Sequence, residues 1–414
     1  MLKLTHGELI QLMIQLSMML ALGRLMTELA RKFKQPAVVG EILAGVILGP
    51  TVLGAISPES FDLLFPKAGF STLALDGFTR VAVVLWLFIA GLEVDLHIVF
   101  QQGKQAITTS LLGLIIPFFI GFIVPYSFPS FFGDMATEDR LLFSLFMGTA
   151  MGISALPVIV RILMDLKLFK TKIGMLIVAS AMVDDIIGWI IFSVILSMIG
   201  KSHNISVVYT ILLTLTFAFL MLTVGRGLLN RILPWVNKKL AWPGGLLSLS
   251  MVLCFLGAAF TEFIGIHAIF GAFIIGVALG DSEHLSEKAK EIIHQFINNI
   301  FAPLFFVSIG LKINFLTHFD LMITVVILVI AFAGKLLGSG LGAYLGGFSK
   351  SEALATGFGM NARGAMEIIL GLIALESGLI NETIFVSLVI MALVTSMSSG
   401  PLMRWALGRK EDDS

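Results

Sequence analysis

The stretch GEILAGVILG, Gly40–Gly49, recurs as GAFIIGVALG, Gly271–Gly280, with glycines matched at 40/271, 45/276 and 49/280. A looser echo follows each copy: AGLEVD (Ala90–Asp95) after the first and IGLKIN (Ile309–Asn314) after the second. Windows of about 19 residues divide the chain into about thirteen apolar segments, read here as membrane-spanning helices. In that order the glycine motifs lie on the second and ninth helices, and the echoes on the third and tenth. Helices seven places apart enter a membrane from opposite sides, so the pattern is that of an inverted repeat. Small residues recur in membrane helices because they suit close packing; two matches in the same order make chance the weaker reading. The expected fold class is an all-α polytopic membrane protein with a single transport domain over 1–414. Its repeats run roughly 7–198 and 244–405, joined by a linker helix at 205–230.

Composition requires the same class. Of 414 residues, 57% are apolar and 13% charged, and the mean hydropathy of +0.99 is far above that of a water-soluble domain. Lys and Arg number 27 and Asp and Glu 27, so nothing electrostatic points to nucleic acid. The single Cys254 excludes an internal disulfide framework, and no metal-ligand spacing, nucleophile elbow or Walker loop marks an enzyme. The start is not a convincing signal peptide, since Met1–Gly7 carries only Lys3 as a base. Short loops and the tail GRKEDDS (Gly408–Ser414) leave no room for a soluble domain. One side of the predicted topology collects Arg31, Lys32, Lys34, Lys104, Lys167, Lys170, Lys172, Arg226, Arg231, Lys238, Lys239, Lys288, Lys290, Lys350, Arg404, Arg409 and Lys410. The other has only Lys3, Lys67, Arg80, Arg140, Lys201 and Lys312. The positive-inside rule therefore predicts an external N-terminus and a cytoplasmic C-terminus.

Within the spans stand charges that a bilayer penalises. VASAMVDDIIGWIIF, Val178–Phe192, sets Asp184 and Asp185 in hydrocarbon, where each carboxylate costs about 2.5–3.5 kcal/mol. Along helices rising 1.5 Å per residue, Asp184 lies about 18 Å from Lys172, Lys335 about 21 Å from Leu321, and Arg363 about 18 Å from Ser351. All three fall near one plane of a roughly 30 Å core. Neighbouring helical residues diverge by about 100 degrees, so one aspartate can face Lys335 while the other faces a cavity and exchanges a proton. A carboxylate for which a proton and a monovalent cation compete, opened alternately to the two sides, is the working part of an antiporter.

If the second helix corresponds to the ninth, the fifth corresponds to the twelfth, and both are interrupted. Gly152 and Pro157 break GTAMGISALPVIVRIL (Gly148–Leu163), and the other break falls in GFGMNARGAMEIIL (Gly357–Leu370), which contains Asn361. Paired interruptions favour unwound segments that expose backbone dipoles to an ion. Arg363 and Glu367, spaced i,i+4, read equally as a structural ion pair and as ion-path elements. Glu41 is a weaker candidate for lining the path. The bland alternative for Asp184, Asp185 and Lys335 is an inert buried ion network. Glu262 and His267 are placed at a helix end, and Glu93, Asp95, Glu376 and the cluster Asp281–Glu291 are read as solvated mouth charges.

Four motifs in order, GEILAGVILGPTVLG (Gly40–Gly54), SALPVIVRILMDLKL (Ser154–Leu168), SAMVDDIIGW (Ser180–Trp189) and GMNARGAMEIIL (Gly359–Leu370), carry a resemblance over essentially the whole chain. The chain resembles the second family of monovalent cation/proton antiporters. That group includes bacterial sodium/proton antiporters, spore-germination antiporters, Kef-type potassium-efflux systems and plant cation exchangers. The resemblance implies the thirteen-helix sodium/proton antiporter fold with two discontinuous crossing helices, a core that includes 140–198 and 352–405, a dimerisation domain and a homodimer. It implies that Asp185 carries Na⁺ or a proton, that Asp184 pairs with Lys335, and that the exchange is electrogenic. Ser154 would supply an oxygen ligand beside the unwound segments at Gly152, Pro157 and Asn361. Two departures stand out. The chain has neither the Gln-Asp motif nor the nucleotide-sensing domain of potassium-efflux relatives, and Glu367, four residues after Arg363, looks more like the germination and plant exchangers.

The expected activity is export of Na⁺, with Li⁺ or K⁺ as alternative cargo, against external protons across a bacterial inner membrane. No cofactor is expected, and the expected partners are membrane lipid and a second copy of the chain. K⁺/H⁺ antiport, a channel-like K⁺ efflux protein and a sodium-coupled organic-solute symporter are the competing readings.

Overall fold

The computed structural model of the chain describes residues 5–33, 35–66, 68–199, 207–282 and 284–408. Of the residues invoked above, Lys3, Lys34, Lys67, Lys201, Glu283, Arg409 and Lys410 lie outside the described residues.

Among the described residues every regular element is a helix. In chain order the α-helices of ten or more residues are α1 (His6–Lys32), α2 (Ala37–Leu48), α3 (Phe70–Leu92), α4 (Leu96–Ser127), α5 (Arg140–Gly152), α6 (Leu156–Asp165), α7 (Lys172–Ile199), α8 (Val207–Leu220), α9 (Arg226–Lys239), α10 (Gly244–Phe263) and α11 (Ala268–Gly280). They continue with α12 (Glu287–Phe296), α13 (Ala302–Lys312), α14 (Leu321–Leu345), α15 (Lys350–Met360), α16 (Ala365–Glu376) and α17 (Glu382–Ala406). Local chemistry sets several starts. Thr5 and Ser349 form capping boxes with Glu8 and Glu352, while Asp320 and Asn381 accept from the third amide of α14 and α17. Each cap satisfies an amide that the helix itself leaves orphaned.

Among the described residues eleven helical spans are long and apolar enough to cross a membrane, and α15 with α16, bent by 42° at their junction, make a twelfth. The ninth predicted span, α11, has 13 residues and rises only about 20 Å, short of a roughly 30 Å core. The count of about thirteen therefore depends on a helix that does not qualify by its length. The predicted linker helix extends past residue 230 to Lys239 at the end of α9.

The helices fall into two compact units, each made of several chain segments. One contains Met1–Glu93, Ala218–Ile264 and Ala268–His318; the other contains Val94–Phe217, Gly265–His267 and Phe319–Ser414.

In the first unit the glycine motif explains itself. Gly45 of α2 packs on α13, where an added Cβ would collide with the Val307 carbonyl and crowd Gly310. Gly276 of α11 packs on α3, where a Cβ would collide with the Phe88 carbonyl and crowd Gly91. Gly49 and Gly280 repeat the relation one turn on, against the carbonyls of Gly310 and Leu92. The same contact thus occurs twice between the elements that the sequence pattern pairs, because only glycine lets helix backbones approach this closely.

In the second unit α4 and α14 are similarly close. Gly113 meets the Ser339 hydroxyl, and Gly338 meets the Leu112 carbonyl. The interrupted span Arg140–Asp165 is 83% buried over its apolar window, against 22% for His6–Lys32. The broken element is therefore an interior one, while α1 presents most of its surface outward.

Candidate ion site

The second unit brings the two interruptions together. Between α5 and α6, residues 153–155 are not helical, and between α15 and α16 neither are 362–364. Pro157 stands in the first turn of α6, where its missing N–H is one that a helix leaves unbonded anyway. The breaks bond to each other: the Ala155 N–H donates to the Ala362 carbonyl at 2.9 Å, and Ser154 Oγ donates to the Met360 carbonyl at 2.8 Å.

Arg363 completes the crossing. Fully buried, its guanidinium donates to the carbonyls of Ala150 at 2.7 Å, Met151 at 2.6 Å and Ile153 at 3.3 Å. These are the orphaned carbonyls at the end of α5, where the helix dipole concentrates negative charge. Glu367 serves the other polarity, its Oε2 accepting from the Gly364 N–H at 2.8 Å at the start of α16. The expected alternative of an Arg363–Glu367 ion pair is thus not formed; each side chain closes a helix end. The reason is the break itself, since i,i+4 neighbours share a face only on a continuous helix and Arg363 stands before α16 begins.

Beside the crossing, α7 carries Asp184 and Asp185, both fully buried, as is Lys335 of α14. Lys335 Nζ lies 2.7 Å from Asp184 Oδ2. Ser154 Oγ reaches the same oxygen at 3.3 Å. A hydroxyl has one proton, so Ser154 serves the Met360 carbonyl and Asp184 Oδ2 in turn, and its oxygen lies between the two. Asp184 Oδ1 accepts from Ser110 Oγ of α4 at 2.7 Å. Asn361, 1% exposed at the second break, has no hydrogen-bond partner on either side-chain atom among the described residues. A buried amide without partners is costly, and its oxygen is a suitable hard ligand for Na⁺.

The structure therefore gathers Ser154, Asn361, Arg363, Glu367, Asp184, Asp185 and Lys335 in one unit, with Gly152 closing α5 and Pro157 opening α6. Glu41 belongs to the other unit. It is 5% exposed on α2 in the first unit, with Thr27 and Arg31 of α1 as its neighbours. Two residues read as solvated mouth charges are partly enclosed. Asp281 is 5% exposed and ion-paired with Arg226 at 2.8 Å. Glu93, just beyond α3, lies 3.7 Å from His294, and burial pushes its carboxyl up to about 7. Ser110, Ser396 and the Met360 carbonyl were not legible as site groups. Ser396 Oγ donates to the Arg363 carbonyl, yet hydroxyls in membrane helices usually bond their own backbone, so a mid-span serine carries no signal.

Comparison with known proteins agrees with this geometry. Residues 17–407 match the family described as "Sodium/hydrogen exchanger, transmembrane". The chain is 33% identical to the Na(+)/H(+) antiporter NhaS4 of Synechocystis, over 96% of this chain and 97% of that one. It is 32% identical to the K(+)/H(+) antiporter 1 of Saccharomyces cerevisiae, over 89% of this chain and 43% of that longer one. Its fold is similar to that of the sodium proton antiporter MjNhaP1 from Methanocaldococcus jannaschii, with a TM-score of 0.63 at 18% identity, covering 97% of this chain and 98% of that one. A family match across nearly the whole chain, relatives above 30% identity and a shared fold lead to one conclusion: the chain belongs to the sodium/hydrogen exchanger family.

Proposed function

We propose that the protein is a secondary active antiporter that exchanges cytoplasmic Na⁺ for external protons by alternating access. The observation that carries this reading is the buried Asp184–Lys335 pair, 2.7 Å apart, beside Asp185 at the meeting of two broken helices. Asp185 binds the cation and, in the other half of the cycle, the proton. Ser154 and Asn361 supply neutral oxygens. Na⁺ arriving at Asp185 draws Asp184 as a second anionic neighbour and releases Lys335; return of a proton to Asp185 lets the ion pair re-form. When Lys335 gives up a proton in the first half and regains it in the second, two protons move against one Na⁺ and each turnover carries net charge. Glu367 and Arg363 hold the crossing rather than the ion.

K⁺/H⁺ exchange is a second reading, favoured by the identity to the yeast K(+)/H(+) antiporter. The described basic residues support a cytoplasmic C-terminus in a bacterial plasma membrane, and the family likeness supports a homodimer. Purified protein in proteoliposomes under an imposed pH gradient tests the activity. Na⁺-dependent proton flux is expected in the wild type and none in Asp185→Asn. Flux at the wild-type rate in that variant would remove Asp185 from its role, and current driven by K⁺ jumps in place of Na⁺ would select the second reading.

A further inference from the structure

We infer that Ser110 is a positioning residue for the transported cation: its hydroxyl, denied the usual helix carbonyl by Ser180, fixes Asp184 Oδ1 so that Oδ2 alone passes between Lys335 and the ion. The inference rests on the antiport reading above and adds a part to it.

A serine inside a helix ordinarily donates to the carbonyl four residues back. In the second unit Thr108, Ser144, Thr149, Thr395 and Ser399 all do so. Ser110 does not; its bond runs to Asp184 Oδ1 on α7 at 2.7 Å. The carbonyl it would otherwise use belongs to Ala106, and Ser180 Oγ of α7 already donates to that oxygen at 3.2 Å. A carbonyl oxygen has two lone pairs. In α4 the intrahelical amide takes one and Ser180 takes the other, so the Ser110 hydroxyl is turned outward. Ser180 and Asp184 are one turn apart on α7, as Ala106 and Ser110 are on α4, and the two bonds form a ladder between these helices.

The other donors to Asp184 are poorly suited to hold it still. Lys335 reaches it through a flexible four-carbon stem and must let go during the cycle. Ser154 has one proton for two acceptors, Met360 at 2.8 Å and Asp184 Oδ2 at the longer 3.3 Å. Ser110 has a single rotatable side-chain bond, is fully buried, and stands on a turn of α4 locked against α14 by the Gly113–Ser339 and Gly338–Leu112 contacts. It is the one donor whose position need not change when Lys335 leaves. With Oδ1 held, the carboxylate cannot swing both oxygens towards the ion or rotate away from it.

The test is transport by the full-length protein in proteoliposomes, with Na⁺ as the probe, for Ser110→Ala, Ser110→Thr, Ser180→Ala and the Ser110/Ser180 double alanine variant. Losing a buried hydrogen bond to a charged group weakens an interaction by about tenfold or more. Ser110→Ala is expected to raise the Na⁺ KM by about that factor while kcat stays within about twofold, and Ser110→Thr, which keeps the hydroxyl, to restore KM. Ser180→Ala frees the Ala106 carbonyl, lets Ser110 turn back to it, and should raise KM severalfold. The double variant should be no worse than Ser110→Ala, since both changes remove the same bond. Wild-type KM in Ser110→Ala, parallel loss of kcat and KM without rescue by Thr, or additive effects in the double variant would each overturn the inference. If Ser110→Ala does not fold, Ser180→Ala and Ser110→Thr decide alone: a raised KM in the first with a normal one in the second supports it, and a normal KM in the first overturns it. Asp185→Asn run alongside separates the failures, because activity there sinks the antiport site itself, whereas a dead Asp185→Asn with an unaffected Ser110→Ala sinks only this step.

Discussion

Asp184 and Lys335 show how a buried ion pair serves an exchanger better than it serves stability. A paired charge in a low-dielectric interior roughly offsets its own desolvation, but removing one partner leaves the other uncompensated, at a cost of about 3–5 kcal/mol. Lys335→Gln should therefore lower the melting temperature in detergent markedly, and adding Asp184→Asn should recover most of it, because the pair then becomes two neutral amides of similar size. Thermal unfolding followed by size-exclusion chromatography reads this directly; a double variant as unstable as Lys335→Gln would show that Asp184 is not the ion that Lys335 balances. On a solid-supported membrane, Asp184→Asn is expected to keep Na⁺/H⁺ exchange and lose its transient current, since Lys335 then has no carboxylate to be coupled to. The two aspartates were legible as intramembrane charges, and their separation by about 100 degrees made different duties necessary. The family resemblance named Asp184 as the partner of Lys335; which of its oxygens meets the lysine was not legible, because rotamers and helix rotation leave no mark on spacing.

At the level of elements, glycine decides where helices touch. Gly45 on α13 and Gly276 on α3 are the same contact in two settings, and in both a Cβ would run into a backbone carbonyl rather than a side-chain tip that could move. Gly45→Val and Gly276→Val should each abolish recovery of monodisperse protein, by fluorescence-detected size-exclusion chromatography. Gly77→Ala, with nothing within 4 Å of an added Cβ, should be tolerated, and alanine's higher helix propensity there is worth up to about 1 kcal/mol. Normal recovery of Gly276→Val alone would show the contacts to be unequal and weaken the repeat. The interruptions at Gly152 to Pro157 and around Asn361 were also readable, from glycine and proline. The part played by Arg363 was not: its spacing to Glu367 suggested a pair on one helix face, and the break that separates them sends the guanidinium to the end of α5 instead.

For the whole molecule the testable quantity is orientation. Native Cys254 is fully buried in the described structure, so introduced cysteines can be labelled over a silent background. Lys239→Cys, in the basic last turn of α9, should react with an impermeant maleimide only when the cytoplasmic side is presented. Leu316→Cys, at a side chain 75% exposed, should react only from outside. Reversal of both would invert the topology and with it the direction assigned to Na⁺.

By itself the sequence determined the membrane-spanning class, the paired glycine motifs, the two broken spans and the identity of the buried charges. Each of these follows from a local penalty: hydrocarbon rejects charge and unbonded backbone residue by residue, so every exception is visible where it stands. Only the tertiary structure decided the pairings, namely Ser110 with Asp184, Arg363 with three carbonyls at the end of α5, and Glu41 with Thr27 and Arg31 of α1. Those contacts join residues far apart in the chain, and they depend on how each helix is rotated and on which carbonyl a neighbour has already taken. No periodicity in a single chain records either.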